Sequence, residues 1–167
     1  CTSLLTDGTA SALFAAQTTA HLCRTQEPGD TGADAVLGLL RAAVTAGFSN
    51  AILTQFSLAV CALVGRLKAW PMSALVPTLR GALDGSPVLL ELLTLLPEEI
   101  GSNHLALGGD LLDEVREQLC SSAAPAVVEL CLATLGAADG GAAALRCLAA
   151  WAKGSILPWP TLAPAMD

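Results

Sequence analysis

Tyrosine is absent from this 167-residue chain and aromatics make up only 4% of it, although 53% of the residues are hydrophobic. The core must therefore be built from Leu, Val and Ala, which favours helices over sheets, because strands draw on β-branched and aromatic residues. No segment carries the strict apolar–polar alternation of a half-buried strand. Basic residues are also scarce: 8 Lys and Arg stand against 15 Asp and Glu, for a net charge of -7. That balance argues against direct binding of nucleic acid and is compatible with a basic protein partner. Catalytic signatures are missing too, with no phosphate-binding glycine loop, zinc-binding helix pair or nucleophile elbow. The one site-like group is Ser102, His104 and Asp110, in or beside a single loop. Nothing there places a nucleophile and a base in mutual reach, so neither an enzyme nor a cofactor is expected.

The cysteines, at positions 1, 23, 61, 120, 131 and 147, include no CxxC pair and mostly sit inside apolar helical patterns. They read as small hydrophobes and reduced thiols. His21 and Cys23 alone are too few for a zinc site. The chain opens without an initiator Met, a signal peptide or a basic leader, and is expected to be a piece of something longer. Ala42 to Gly65 carries no charge and is long enough to span a bilayer, but Gly47-Phe48-Ser49-Asn50 reads as a turn in its middle and Gln55 interrupts its second half. No membrane span is expected.

What the chain has in abundance is leucine at helical spacing, most densely from Ser86 to Ile100. Ser86 can cap a helix and Pro87 suits its first position. Leu89, Leu92, Leu93 and Leu96 share one face, Leu90 and Leu95 fill another, and Pro97 is expected to stop the helix. A helix apolar on nearly all sides must be covered on both flanks.

The remaining elements follow the same periodicity. A first helix, capped by Thr9 or Ser11, is expected to run to about Cys23 on an inner stripe of Leu13, Ala16, Ala20 and Cys23. After a loop, Thr31 and Asp34 resemble a capping box at the head of a second helix, whose apolar face is Val36, Leu37, Leu40 and Val44. Ser49 caps a third helix to about Lys68. Trp70-Pro71 leads into a fourth, to about Leu83, in which Pro77 sits in the first turn or makes a kink. The text from Asp110 to Leu135, interrupted by Ser121, Ser122 and Pro125, reads as one kinked helix or two short ones. A last full helix is expected to turn Leu145, Leu148, Ala149 and Ala152 inward, with Trp151 on its flank.

Phe14 and Phe56 occupy similar places in ALFAAQTTA and LTQFSLAVCA, 42 residues apart by subtraction. Antiparallel helix pairs at such a spacing indicate an all-α solenoid of HEAT or armadillo type, with approximate repeats 9–46, 49–83, 86–136 and 139–167, the last incomplete. In the second helix Asp34, Gly38, Arg41 and Thr45 make a polar stripe opposite the apolar face. In the fourth, Ser73, Pro77, Arg80 and Asp84 make another. Asp34, Arg41, Ser73, Arg80 and Asp84 are thus candidates for partner binding. A second candidate is the acidic stretch Glu98, Glu99, Asp110, Asp113, Glu114 and Glu117, which Arg116 alone offsets.

Four segments carry a family resemblance. LLELLTLLPEEI, Leu89 to Ile100, resembles the fourth-repeat helix of karyopherins in the importin-β superfamily, most closely the branch of transportin-three and importin-thirteen. ALFAAQT, Ala12 to Thr18, is similar to a second-repeat stretch of those proteins, TQFSLAVCAL, Thr54 to Leu63, to a third-repeat helix, and LRCLAAW, Leu145 to Trp151, to their FRCLGSW. The matches fall in the family's order, while residues 24–50 match poorly and Pro125 interrupts what is one long helix in the relatives. The resemblance implies HEAT repeats from near the start of a longer nuclear transport receptor. It implies as partners the GTPase Ran in its GTP form, protein cargo and nucleoporins, with neither nucleic acid nor membrane, and shuttling between cytoplasm and nucleus. Another helical-repeat scaffold or adaptor is the alternative reading.

Overall fold

Ser86 starts the leucine-rich helix as its chemistry suggests: its Oγ accepts from the Val88 N–H at 3.3 Å and its carbonyl from the Leu89 N–H at 3.2 Å. The computed structural model describes residues 2–25, 32–66, 69–102, 104–136, 140–154 and 156, with side chains from residue 8 onward. Among them are eight α-helices and no strand: α1 (Thr2–Thr25), α2 (Gly32–Thr45), α3 (Asn50–Gly65), α4 (Met72–Leu83), α5 (Val88–Ile100), α6 (Gly109–Gln118), α7 (Ala124–Leu135) and α8 (Gly141–Lys153). The helices α1, α3, α5 and α8 lie side by side as one layer. A second layer runs from α2 through α4 to the junction of α6 and α7, with α2 seated on α3 and α7 on α8. This is the stacked helical-repeat, all-α architecture expected of the sequence.

The helix α5 lies between α3 and α8 and touches α4 as well. Leu92, Leu93 and Leu96 are fully buried, and Leu89 and Leu90 nearly so. Pro97 does not stop it. A proline within a helix withholds the N–H that would reach the carbonyl four residues back, here Leu93. That carbonyl accepts instead from the indole N–H of Trp151, at 2.7 Å and fully buried. With the acceptor satisfied from α8, the helix continues to Ile100.

Trp151 also overturns the face expected for α8. The inward residues are Ala144, Cys147, Ala150 and Trp151, whereas Leu145 is 58% exposed and Ala149 and Ala152 face out. In an Ala-rich helix the leucine stripe is a weak signal. Burying the indole, by far the largest side chain, decides the rotation.

One further expected boundary changes, at the start of α1. No helix starts at Thr9 or Ser11, because α1 is already helical at Thr2. The Thr31 half of the proposed capping box lies outside the described residues. The text around Pro125 is one continuous helical run, Gly109–Leu135, with a π-turn at Leu119–Ala123 between α6 and α7. Pro125 cannot donate to Ser121, and the wider turn absorbs the lost bond. The π-turn packs against α4.

The charge-free stretch Ala42–Gly65 is two helices. Gly47, at φ 68, ends α2 in a Schellman turn, with Phe48 N–H bonded to Ala43 O and Gly47 N–H to Val44 O, both at 3.1 Å. The one described run long and apolar enough to cross a membrane, by length and composition, is Gly109–Leu135, which packs on α4 and α8 as part of the second layer. Phe56 is 8% exposed and Phe14 71%. These equivalent positions differ because α3 packs extensively on α1, α2 and α5, whereas the main packing partner of α1 is α3.

Two measurements test this packing. Leu92→Ala or Leu93→Ala should cost about 2–5 kcal/mol in chemical denaturation, because each leaves a cavity at a fully buried position. Trp151→Phe should cost about 1–3 kcal/mol for the orphaned Leu93 carbonyl, in addition to any loss of packing. In that background Pro97→Ala should recover part of the loss by restoring a backbone donor; a strictly additive pair would contradict the proposed replacement.

Candidate partner-binding face

The second layer presents the charged stripes. On α2, Val36, Leu37, Leu40 and Ala43 turn inward, which leaves Asp34, Gly38, Arg41 and Thr45 exposed. On α4, burial of Met72, Leu75, Val76, Leu79 and Leu83 exposes Ser73, Pro77, Arg80 and Asp84. The two helices are packed neighbours, so both stripes lie on one layer.

The five candidate residues are not equivalent. Asp34 is already engaged, accepting from the Trp70 indole N–H at 2.7 Å, which ties the start of α2 to the α3–α4 connection. Arg41 is exposed, and its carbonyl accepts from Thr45 Oγ at 3.0 Å. Arg80 and Asp84 stand 4.0 Å apart with both side chains well exposed, a weak and easily exchanged pair. Ser73 is exposed one turn before Pro77.

Between α4 and α7 the layer opens into a groove of about 530 Å³. Its apolar lining comes from Val76 and Pro77 on α4 and Ala126, Leu130 and Ala133 on α7, with Arg80, Asp84 and Glu129 at its margin. Sequence periodicity did not single out Glu129 or this groove. The available signal was one acid within AVVELCLATL, where an ionised side chain must find solvent or a partner.

The acidic stretch divides. Asp110, Asp113, Glu114 and Glu117 are exposed on α6, with Glu114 accepting from Gln118 Nε2 at 3.1 Å. Glu98 is exposed and lines a separate depression with Arg116 and Lys153. Glu99 is no surface residue: its side chain is only 4% exposed and it accepts from Arg24 Nε at 2.5 Å and Arg24 Nη2 at 2.8 Å. The reason is helical spacing. With α5 continued through Pro97, position 99 falls towards the end of α1, where Arg24 meets it.

This bidentate pair joins α1 to α5 across α3. The hydrogen bond to Glu99 is the main cause that raises the Arg24 pKa above its ordinary value. Arg66, just after α3, donates to the Arg24 carbonyl and, at 3.4 Å, to the Leu105 carbonyl. Leu105 is buried against Gly65, where an added Cβ would lie 2.7 Å from Leu105 Cδ1, so a larger residue there would force the Leu105 side chain to shift. Ser102 Oγ donates to Glu99 O at 2.7 Å and accepts from the His104 N–H at 3.3 Å. These contacts give the Ser102 hydroxyl a role in shaping the loop.

The five described cysteines are free thiols. Burial pushes the Cys61 thiol far up, with the Glu99 charge adding to it, and Cys61 Sγ donates to Leu92 O at 3.7 Å. No group of three or more His, Cys, Asp or Glu able to hold a metal occurs among the described residues.

Two outcomes follow for the network behind the face. Arg24→Ala should cost about 3–5 kcal/mol by leaving a buried carboxylate alone, and Arg24→Met with Glu99→Leu should recover most of it. Because a raised thiol pKa keeps the sulfur protonated, Cys61 should resist iodoacetamide at pH 8 in native protein and react fully in denaturant. Mass spectrometry of labelled peptides reads this directly; prompt native labelling at Cys61 would contradict its enclosure.

The sequence pattern of the exportin 1-like protein family matches residues 49–162, more than half of the chain. The match covers α3 through α8, hence the α5 centre, the α4–α7 groove and the α4 stripe. The protein belongs to the exportin 1-like family, within the importin-β superfamily of karyopherins.

Proposed function

We propose that this chain is part of a nuclear import receptor of the transportin-three and importin-thirteen branch, which binds Ran in its GTP form and protein cargo and shuttles between cytoplasm and nucleus. In this reading nucleoporins are further partners, met during passage. The single observation that carries it is the pair of exposed stripes on α2 and α4, set side by side on one layer of a karyopherin repeat stack. Arg41 and Arg80 supply exposed positive charge to a chain of net charge -7, and no described ion pair holds Arg41. Charged groups at such a contact act on association rate and specificity.

The test reverses both charges in the full-length receptor. Arg41→Glu with Arg80→Glu should weaken Ran-GTP binding by roughly tenfold or more and flatten its salt dependence, with helical content unchanged. Ran loaded with GDP is the control. Unchanged affinity for Ran-GTP would remove these stripes from the interface and favour a helical-repeat adaptor without a GTPase partner.

A further inference from the structure

We propose that the groove between α4 and α7 is a subsite for an aliphatic side chain that stands next to a lysine or arginine on a segment of a partner protein. The proposal rests on reading the second layer as a partner-binding face, and it names the chemistry of what that face takes.

The shape comes first. About 530 Å³ of open groove is within the range of sites that hold ligands or anchoring side chains. Val76 and Leu130 give it apolar surface from both helices. Gly81 widens it: an added Cβ there meets nothing within 4 Å. An aliphatic group entering it would remove apolar surface from water on both sides.

Charge then selects the neighbour of that group. Arg80 and Asp84 form only a weak, exposed pair at 4.0 Å, but their opposite formal charges cancel in the sum at the margin, which leaves that of Glu129. Glu129 is exposed on α7 and has neither an ion-pair nor a hydrogen-bond partner among the described residues. Pro77, which lines the groove, also withholds from the Ser73 carbonyl its usual helical donor. The margin is therefore rich in acceptors and negative in balance. Its complement is a side chain that is all donor and positive, which is lysine or arginine. An acidic or phosphorylated segment would meet Glu129 and Asp84 with like charge. A second copy of this chain, itself at -7, is disfavoured at long range for the same reason.

The experiment uses the full chain and a short fluorescein-labelled peptide of Leu and Lys in a Ser background, followed by fluorescence anisotropy. The same peptide with Glu in place of Lys is the charge control. Gly81→Leu fills the groove, and replacing a helical glycine favours the helix, so loss of binding there cannot be ascribed to misfolding. Glu129→Lys reverses the selecting charge. Glu117→Lys makes the same charge change on the exposed face of α6, outside the groove. The expected result is about tenfold weaker binding of the Leu/Lys peptide in both groove variants, little change in Glu117→Lys, and no comparable binding of the Glu peptide. Wild-type affinity in Gly81→Leu and Glu129→Lys would overturn the proposal. So would an equal loss in Glu117→Lys, which would reduce the attraction to overall charge. The readout does not involve Ran. A receptor that fails the Ran titration but passes this test loses that partner and keeps the groove, and the reverse result removes the groove alone.

Discussion

A helix with no polar face has to be enclosed, and the enclosure of α5 sets the rest of the architecture. Its leucines point in several directions, so α3, α8 and α4 must all lie against it. Burial creates a second requirement. Pro97 deprives the Leu93 carbonyl of its helical donor, and a buried carbonyl without a partner costs about as much as a hydrogen bond lost. The Trp151 indole meets that need, which fixes the rotation of α8 and carries the core into the next repeat. One backbone acceptor thus links the central helix to the orientation of its neighbour.

The two layers divide the work. The layer of α1, α3, α5 and α8 holds the tightly enclosed leucines and the Arg24–Glu99 pair, whose carboxylate is shielded from water and held by two hydrogen bonds. Such a pair contributes less to net stability than to making other arrangements expensive, since either partner alone would be an uncompensated charge. The layer of α2, α4 and α7 buries one face of each helix and leaves charge on the other. Both of its later helical runs contain prolines, Pro77 in α4 and Pro125 just past the π-turn. The π-turn packs on α4 at one end, and further along the two helices leave the groove.

Much of this was legible in the sequence, and the failures share a cause. Periodicity found every described helix and the inward faces of α2 and α5, because those faces are dense in Leu and Val. It misplaced the inward face of α8, where alanines blur the pattern and one tryptophan outweighs it. It ended α5 at Pro97 because the rule for proline is local, while the donor that replaces the missing N–H comes from residue 151. Glu99 was read as surface charge for the same reason: its partner Arg24 is distant in sequence. The charged stripes on α2 and α4 could be read, since each follows from the face opposite it. The groove could not, because a gap between two helices belongs to neither of them. The family match includes three of the four segments whose resemblance was noted, Thr54 to Leu63, Leu89 to Ile100 and Leu145 to Trp151.

The central claim is that α5, enclosed by α3, α8 and α4, forms with the facing side of α3 the enclosed centre on which the stack depends. Hydrogen exchange of the native protein, resolved by peptide, tests it most directly, because protection reports the free energy of opening each segment. The account predicts the slowest amides in α5 and the facing side of α3, with α1 exchanging earlier since its main packing is on α3. Exchange in α5 as fast as in α1 would contradict it.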